Sequence, residues 1–137
     1  MTRPKALIAA VVVLLAGLGV RAATAGVFAK YAGVALYAVL VYVLVLVVAP
    51  RIRPAMSAGI SLACCWAVEF FQLTSIPADL SSRSTIARLV LGSTFNTPDL
   101  LWYTVGVAAA YLVHAWAVRP AVGGRPGVPR PGGAARS

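Results

Sequence analysis

The order of apolar and polar residues divides the chain into four long apolar blocks with short polar segments between them. A helix needs about 20 predominantly apolar residues to cross a bilayer, and three of the blocks come close to that length. The first block, 6–20, is shorter, but the AATAG segment after Arg21 extends its apolar character. The pattern therefore predicts four membrane-spanning helices, over residues 6–25, 31–49, 55–73 and 100–118.

The longest connection, residues 74–99, lies between the third and fourth spans. Its first part is expected to be a loop, on the basis of Pro77, Asp79, Ser81 and Ser82. The STIARLVLG stretch at 84–92 then predicts a helix too short to span. We expect it to lie at the membrane interface or to re-enter the bundle, and the alternative is an ordinary amphipathic surface helix. The predicted fold class is therefore all-α: a polytopic membrane protein, a four-helix transmembrane bundle with one short interfacial or re-entrant helix.

The two ends of the chain differ in character from the blocks. Residues 1–118 are expected to form the transmembrane domain, and residues 119–137, rich in Pro, Gly and Arg, a disordered basic cytoplasmic tail. We expect the tail to be a solvated segment whose basic residues set the membrane topology, and contact with anionic lipid is the alternative. The first block also has an alternative, a signal peptide in which Ala23-Thr24-Ala25 forms an A-x-A-like cleavage site.

Composition supports a membrane protein over a soluble one. Hydrophobic residues make up 61% of the chain and charged residues 11%, whereas soluble domains have roughly 45–50% apolar and 25% charged residues. The formal net charge of +9 would suggest nucleic acid in a soluble chain. Here the basic residues flank the apolar blocks in ones and twos, as topogenic charges do, so we expect the lipid bilayer and not nucleic acid as the partner.

The basic residues are distributed unequally between the two sides of the predicted bundle. One side holds Arg3, Lys5, Arg51, Arg53, Arg119, Arg125, Arg130 and Arg136, and the other holds Arg21, Lys30, Arg83 and Arg88. The positive-inside rule places the side with more basic residues in the cytoplasm. We therefore predict a multi-pass plasma-membrane protein with both termini cytoplasmic.

The acidic residues are segregated to the opposite, outer end of the bundle. They are Glu69 in the last turns of the third span, Asp79 in the following connection, and Asp99, which is expected to cap the fourth span. Helical spacing adds two polar, small-residue stripes: Ser61, Cys65, Glu69 and Gln72 on the third span, and Asp99, Tyr103, Gly106, Ala110 and His114 on the fourth. We therefore expect an inward-facing polar cluster just below the outer surface.

Two interpretations of this cluster stay open. It is either a buried ion-pair network for folding, for instance Glu69 with Arg83, or a site for a polar head group, an ion or a proton. The candidate residues are Glu69, Gln72, Arg83, Asp99, Arg21, Lys30, Tyr31, Arg88 and Tyr103.

Other residue types that often carry chemistry are expected to be structural. Cys64 and Cys65 are adjacent within an apolar block and are predicted to be packing residues. His114, far along the axis from Asp99, is predicted to be a packed or interfacial histidine, with a catalytic role as the alternative. The sequence has no Ser-His-Asp set, metal motif or Gly-rich phosphate loop, so no metal and no cofactor is predicted.

The order of the polar motifs resembles an uncharacterised family of small bacterial membrane proteins, domain-of-unknown-function family 2809. The resemblance covers about 6–115 and rests on Arg21, KYAG at 30–33, E-x-x-Q-L at 69–73, Arg83, LVLG at 89–92, and F-x-x-x-D-L-x-x-Y-x-V-G from Phe95 to Gly106. Because it includes the first helix, it favours a retained helix over a cleaved signal peptide.

The chain departs from the family pattern at the start of helix two. That pattern, K-Y-x-G-D-x-L-W, places an Asp and a Trp where this chain has Val34 and Tyr37, so an acidic group is missing there. Either Arg83 or Arg88 corresponds to the family's arginine. The E-x-x-Q, Arg, Asp, Gly order is also similar to the VanZ-like family, a similarity that implies an envelope-facing role.

The sequence thus favours a non-enzymatic cell-envelope protein with an outer-face polar site for an amphiphilic or anionic ligand, a lipid or another envelope component. Two alternatives are a membrane-embedded enzyme acting on a lipid head group and a helper subunit of a larger membrane complex. The oligomeric state is not predicted.

Overall fold

The computed structural model describes residues 2–92 and 96–119, and every regular element in them is a helix. The helices are α1 (Arg3–Ala23), α2 (Gly26–Val48), α3 (Pro54–Phe71), α4 (Ile76–Arg83), α5 (Thr85–Leu91) and α6 (Thr97–Ala117). Four of them, α1, α2, α3 and α6, are long and apolar enough to cross a membrane. This confirms the predicted all-α polytopic membrane fold with four spans and one short helix in the predicted 84–92 segment.

The four long helices begin earlier along the chain than predicted. Three of them, α1, α3 and α6, have a proline in the first turn, at Pro4, Pro54 and Pro98. Proline suits this position because its φ is already helical and its missing N–H has no partner to lose there. Each of these helices therefore starts at the proline or one residue before it, whereas the apolar pattern begins one to three residues after that start.

The α4 helix replaces the loop that was expected around Pro77. Pro77 lies in its first turn with the acidic Asp79, and the basic Arg83 lies in its last turn. Opposite charges at the two ends complement the helix dipole, so the order of these residues stabilises a helix. Considered individually, the proline, aspartate and serines favour a loop. The loop prediction was wrong because it did not take into account the order in which these residues occur.

Packing in the bundle centres on α2, which contacts α1, α3 and α6, while α3 also packs against α6. The closest approach is at Gly106, where a Cβ atom would overlap the carbonyl oxygen of Ala35 and lie 3.0 Å from Ala38 Cβ. The buried core on either side of this crossing includes Tyr42, Leu46 and Tyr103. Small residues at a helix crossing are typical of membrane proteins, because apolar helices gain by close packing in lipid.

The two predicted stripes face the interior. On α3 the buried residues are Ser57, Ser61, Cys65 and Glu69, and on α6 they are Asp99, Tyr103, Gly106, Val107 and His114. Gln72, expected in the last turn of the third span, is instead the C-cap residue of α3.

The bundle has two ends, which are named here by the elements they carry. The termini end holds the start of α1, the end of α2, the start of α3 and the end of α6, and the Arg3 guanidinium Nε donates to the Val47 carbonyl there at 3.0 Å. The α4–α5 end holds the two short helices, which pack against each other. The position of α5 at a membrane interface stays a prediction. The predicted disordered tail lies, from residue 120 onward, outside the described residues.

Candidate functional site

Glu69 is the most deeply buried charged residue of the part of the chain that the structure describes, with a side chain that is 0% exposed. One carboxylate oxygen, Oε1, accepts the backbone N–H of Asn96 at 2.6 Å, and the other, Oε2, accepts the Tyr103 hydroxyl at 3.3 Å. The carboxylate thus joins the end of α3 to the start of α6. Both partners belong to the fold, which gives Glu69 the geometry of a structural anchor.

Asp99 lies beside this anchor but is not the helix cap that was predicted. The N-cap residue of α6 is Asn96, and Asp99 belongs to the first turn, where the Asn96 side-chain amide donates to Asp99 Oδ1 at 3.1 Å. Proline at 98 moves the helix start upstream, which displaces the cap from Asp99 to Asn96. A carboxylate in this first turn is stabilised by the positive end of the helix dipole.

A cavity of about 860 Å³ opens next to Asp99, between α1, α2, the end of α5 and the start of α6. Most of its wall is apolar, formed by Val13, Leu14, Leu18, Val34, Leu36, Leu40, Leu89 and Val90 among others. Its polar lining residues are Arg21, Lys30, Tyr37, Gln72, Asn96, Asp99 and Tyr103. A largely apolar space with charged groups at the helix ends is the shape expected for an amphiphilic ligand.

The two cationic side chains of the cavity, Arg21 and Lys30, are both exposed. They come from the end of α1 and the start of α2, which adjoin across a short turn. The Lys30 Nζ atom lies 5.7 Å from the centroid of the Tyr31 ring, and within the described residues neither cation forms an ion pair. Both are therefore available to an anion.

The end of α5 forms one wall of the cavity and is held by three side chains. The Tyr37 hydroxyl donates to the Val90 carbonyl at 3.0 Å, the Gln72 amide donates to the Leu91 carbonyl, and the Ser81 hydroxyl donates to the Gly92 carbonyl at 2.7 Å. These are among the carbonyl groups that a helix end leaves without partners.

Glycine is required at position 92 for two reasons. Its φ of 67° is in the region that disfavours side chains, and a Cβ atom would overlap the Gln72 amide. The LVLG motif therefore ends in glycine, the residue type that leaves room for the Gln72 amide to donate to the Leu91 carbonyl.

The structure gathers some of the predicted site residues and separates others. Arg21, Lys30, Gln72, Asp99 and Tyr103 line the cavity, and Glu69 lies behind Asn96 and Tyr103. Tyr31 stacks on Trp102, with ring centroids 5.3 Å apart, and lines a second, smaller cavity instead.

Neither candidate arginine of the connection reaches the cavity. Arg83 is exposed at the end of α4, and the Arg88 guanidinium donates to the Ser81 carbonyl at 3.1 Å, which ties α5 to α4. The Glu69–Arg83 ion pair considered from the sequence does not form in the described structure, because Glu69 is buried at the end of α3 whereas Arg83 is exposed at the end of α4.

Asn96 was not predicted from the sequence as a site residue, and for Tyr37 the sequence left two interpretations open, lining the site or packing. Asn96 precedes a Thr-Pro-Asp segment, and asparagine before a proline-containing first turn is a helix-start pattern that could have identified it as the cap. Tyr37 follows Lys30, Gly33 and Val34 at helical spacing, and all four line the cavity. This helical spacing can be read from the sequence, but only Lys30 and Tyr37 among the four residues are polar, which is too few to indicate a site.

Residues associated with other chemistries do not converge in the described parts of the chain. No group of three or more His, Cys, Asp or Glu side chains there is arranged to hold a metal ion. Cys64 is exposed and Cys65 is buried, and both are free.

Comparison with known families gives one match. A family model described as a protein of unknown function, DUF2809, matches residues 23–107, a narrower range than the 6–115 of the resemblance. No curated protein and no solved structure matches the chain. The matched range holds α2 to α5, the first half of α6 and every polar cavity residue except Arg21. It covers well over half of the sequence, and the chain therefore belongs to the DUF2809 family of proteins of unknown function.

Proposed function

We propose that this protein is a non-enzymatic membrane protein that binds an amphiphile with an anionic head group in the cavity at its α4–α5 end. The observation that carries the proposal is the pairing of a largely apolar cavity of about 860 Å³ with two available cations, Arg21 and Lys30. An acyl chain fits the apolar walls, and a phosphate fits the cations.

The chemistry of the two cations supports a phosphate in particular. Arginine presents a planar fork of donors that matches phosphate oxygens, and lysine adds a second point charge. Long side chains of this kind can pack their apolar stems on apolar surface while the charged group stays at a membrane surface, which suits the two exposed cations that line the cavity.

The role of Glu69 supports a binding protein over an enzyme. A general acid or base must reach the proton it transfers, whereas both Glu69 oxygens accept hydrogen bonds from the scaffold. We assign Glu69 to holding α6 against α3, which fixes one wall of the site. An enzyme acting on a lipid head group and a helper subunit remain the alternative functions.

We also propose that the cavity faces the outer side of the plasma membrane. The bias of basic residues toward the termini end supports cytoplasmic termini, and an outer location agrees with the envelope-facing role implied by the similarity to the VanZ-like family. Alkaline phosphatase fused to the C-terminus should then be inactive in cells, and a fluorescent protein fused there should be bright. The opposite pair of results would overturn the orientation.

The binding proposal is tested by native mass spectrometry of protein extracted in a mild detergent. We expect wild-type protein to retain about one phospholipid and Arg21→Gln to lose most of it. The matched control is Arg83→Gln, which removes the same charge at the same end from a side chain outside the cavity.

Three outcomes separate the alternatives. If no phospholipid is retained, or if both variants lose it equally, cavity binding is wrong. A chemically altered head group in the presence of wild-type protein, lost in Glu69→Gln, would favour the enzyme. A stoichiometric co-purified protein in place of lipid would favour the helper subunit.

A further inference from the structure

The polar end of the cavity contains acceptor groups as well as cations. Asp99 is only 9% exposed and lines the cavity. Its Oδ1 atom accepts the Asn96 amide, and no donor from the described residues reaches its other oxygen, Oδ2. A carboxylate oxygen that lines a cavity can accept a hydrogen bond from a donor on a ligand.

Gln72 contributes a second acceptor without a partner. Its side-chain nitrogen donates to the Leu91 carbonyl, an interaction that fixes which way the amide points. Its Oε1 atom is consequently buried, and none of the described residues donates to it, although Gln72 lines the same cavity. Buried polar atoms of this kind need an explanation, and a donor supplied by a ligand is one.

Among the described residues, the two cations that line the cavity form no ion pair with these acceptors. Lys30 is close enough to Asp99 to interact with it electrostatically, but its Nζ atom lies over the Tyr31 ring and the two residues form no ion pair in the described structure. The described part of the site therefore has cations on one side and, on the other, acceptors to which no described residue donates.

From this arrangement we infer that the amphiphile is an aminophospholipid, with its phosphate at Arg21 and Lys30 and its primary ammonium group donating to Asp99 and Gln72. The inference rests on the proposed function, because it names the head group that the cavity binds. A primary ammonium carries three N–H donors next to its charge. A choline head group has the charge but no N–H donor, and a glycerol head group has hydroxyl donors but no positive charge.

The first test compares lipids on the wild-type protein and needs no variant. Delipidated protein in detergent is titrated with dioleoyl phosphatidylethanolamine, phosphatidylcholine or phosphatidylglycerol, and bound lipid is counted by native mass spectrometry. We expect the ethanolamine lipid to bind about tenfold or more tightly than the choline lipid, which is the effect of one charge-assisted hydrogen bond. The glycerol lipid should also bind more weakly than the ethanolamine lipid.

The second test removes the charge that receives the ammonium group. Asp99→Asn keeps an oxygen for the Asn96 amide and should weaken binding of the ethanolamine lipid about tenfold, with little change for the choline lipid. The matched control is Asp79→Asn, an exposed carboxylate at the same end in α4, which should change neither.

The outcomes separate this inference from the proposal beneath it. If none of the three lipids binds, the proposed function fails. If the lipids bind but the ethanolamine lipid has no advantage over the choline lipid, the inference is overturned and the binding proposal stands. The inference is also overturned if Asp99→Asn folds and binds the ethanolamine lipid as the wild type does, because the Asp99 carboxylate would then not receive the ammonium group. Should Asp99→Asn not fold, the wild-type comparison of the two lipids decides.

Discussion

The two ends of the bundle both bury polar side chains, but they do so in different ways. At the termini end, the Tyr42 hydroxyl lies 2.7 Å from His114 Nδ1 and donates to the Pro54 carbonyl at 3.3 Å. The Ser61 hydroxyl donates to the Ser57 carbonyl at 2.7 Å. None of these residues lines either cavity. At the α4–α5 end, two carboxylates lie beside a large cavity with cations along its rim.

The difference shows which buried polar groups in a membrane protein point to a ligand. Hydrogen bonds between transmembrane helices contribute only about 0.6 kcal/mol on average, so helices use them widely as packing contacts. Most members of the cluster at the termini end fit that use, since they form hydrogen bonds with one another or with the backbone. The Ser57 hydroxyl is the exception: it is buried without a partner among the described residues, and it lines neither cavity. The cluster at the α4–α5 end has charged groups, acceptors to which no described residue donates, and a cavity next to them.

The largest effect is expected for Glu69→Ala. Truncation leaves the Asn96 N–H and the Tyr103 hydroxyl buried without an acceptor, at a cost of about 1–3 kcal/mol for each group, and it adds a void. We expect the free energy of unfolding in detergent, followed by circular dichroism, to fall by about 3 kcal/mol or more. Glu69→Gln keeps an oxygen for Asn96 and should lose less than about 1.5 kcal/mol. Equal losses for the two variants would show that the hydrogen bonds are not what Glu69 contributes.

Gly106→Ala should affect both ends together, because the glycine lies at the crossing of α2 and α6. The added Cβ atom overlaps a backbone carbonyl, which cannot rotate away as a side chain can. Overpacking of this kind costs about 1–3 kcal/mol, and we expect the upper part of that range. Gly59→Ala on α3, where a Cβ meets nothing within 4 Å, is the control and should not destabilise the protein. An unaffected Gly106→Ala would mean that the crossing is looser than described.

Tyr42→Phe separates the two ends most cleanly. It removes the hydroxyl that links α2 to His114 and to Pro54, so the free energy of unfolding should fall by about 1 kcal/mol. Phospholipid retained by the protein should not change, because Tyr42 lies outside the cavity. A loss of lipid without loss of stability would contradict the division of the bundle into a structural end and a binding end.

The smallest effect is expected for Tyr37→Phe. It removes one of the three hydrogen bonds that hold the end of α5, worth about 0.5–1.5 kcal/mol. Global stability should change little, while backbone amides of residues 85–92 should exchange with deuterium faster than in the wild type. Unchanged exchange in that segment would show that the hydrogen bonds from Gln72 and Ser81 are sufficient to fix the end of α5.

The sequence predicted the parts of this fold that depend on periodicity. The α3 stripe of Ser61, Cys65 and Glu69 and the burial of His114 follow from helical spacing alone, and the structure has both. The start of α6 did not follow, since a cap depends on backbone geometry: Asp99 was expected where Asn96 lies.

The site was harder to predict because its partners come from separate elements. Arg83 is near Glu69 in sequence and at the same end of the bundle, yet α4 forms as a helix and leaves Arg83 exposed. Arg21 is distant in sequence but reaches the cavity from α1. Their charge alone could not show which of the two arginines lines the cavity, because that depends on how α1 packs against α2 and on the direction of α4.

The central claim, that the cavity at the α4–α5 end holds a phospholipid, is tested most directly by filling it. Gly33 lines the cavity, and a Cβ atom added there would have no other atom within 4 Å. The Gly33→Leu variant should therefore fold and place its side chain in the cavity. Gly59→Leu adds the same side chain to an exposed position of α3. Native mass spectrometry should find about one phospholipid on the wild type and on Gly59→Leu, and none on Gly33→Leu. Equal retention by a folded Gly33→Leu would contradict the account.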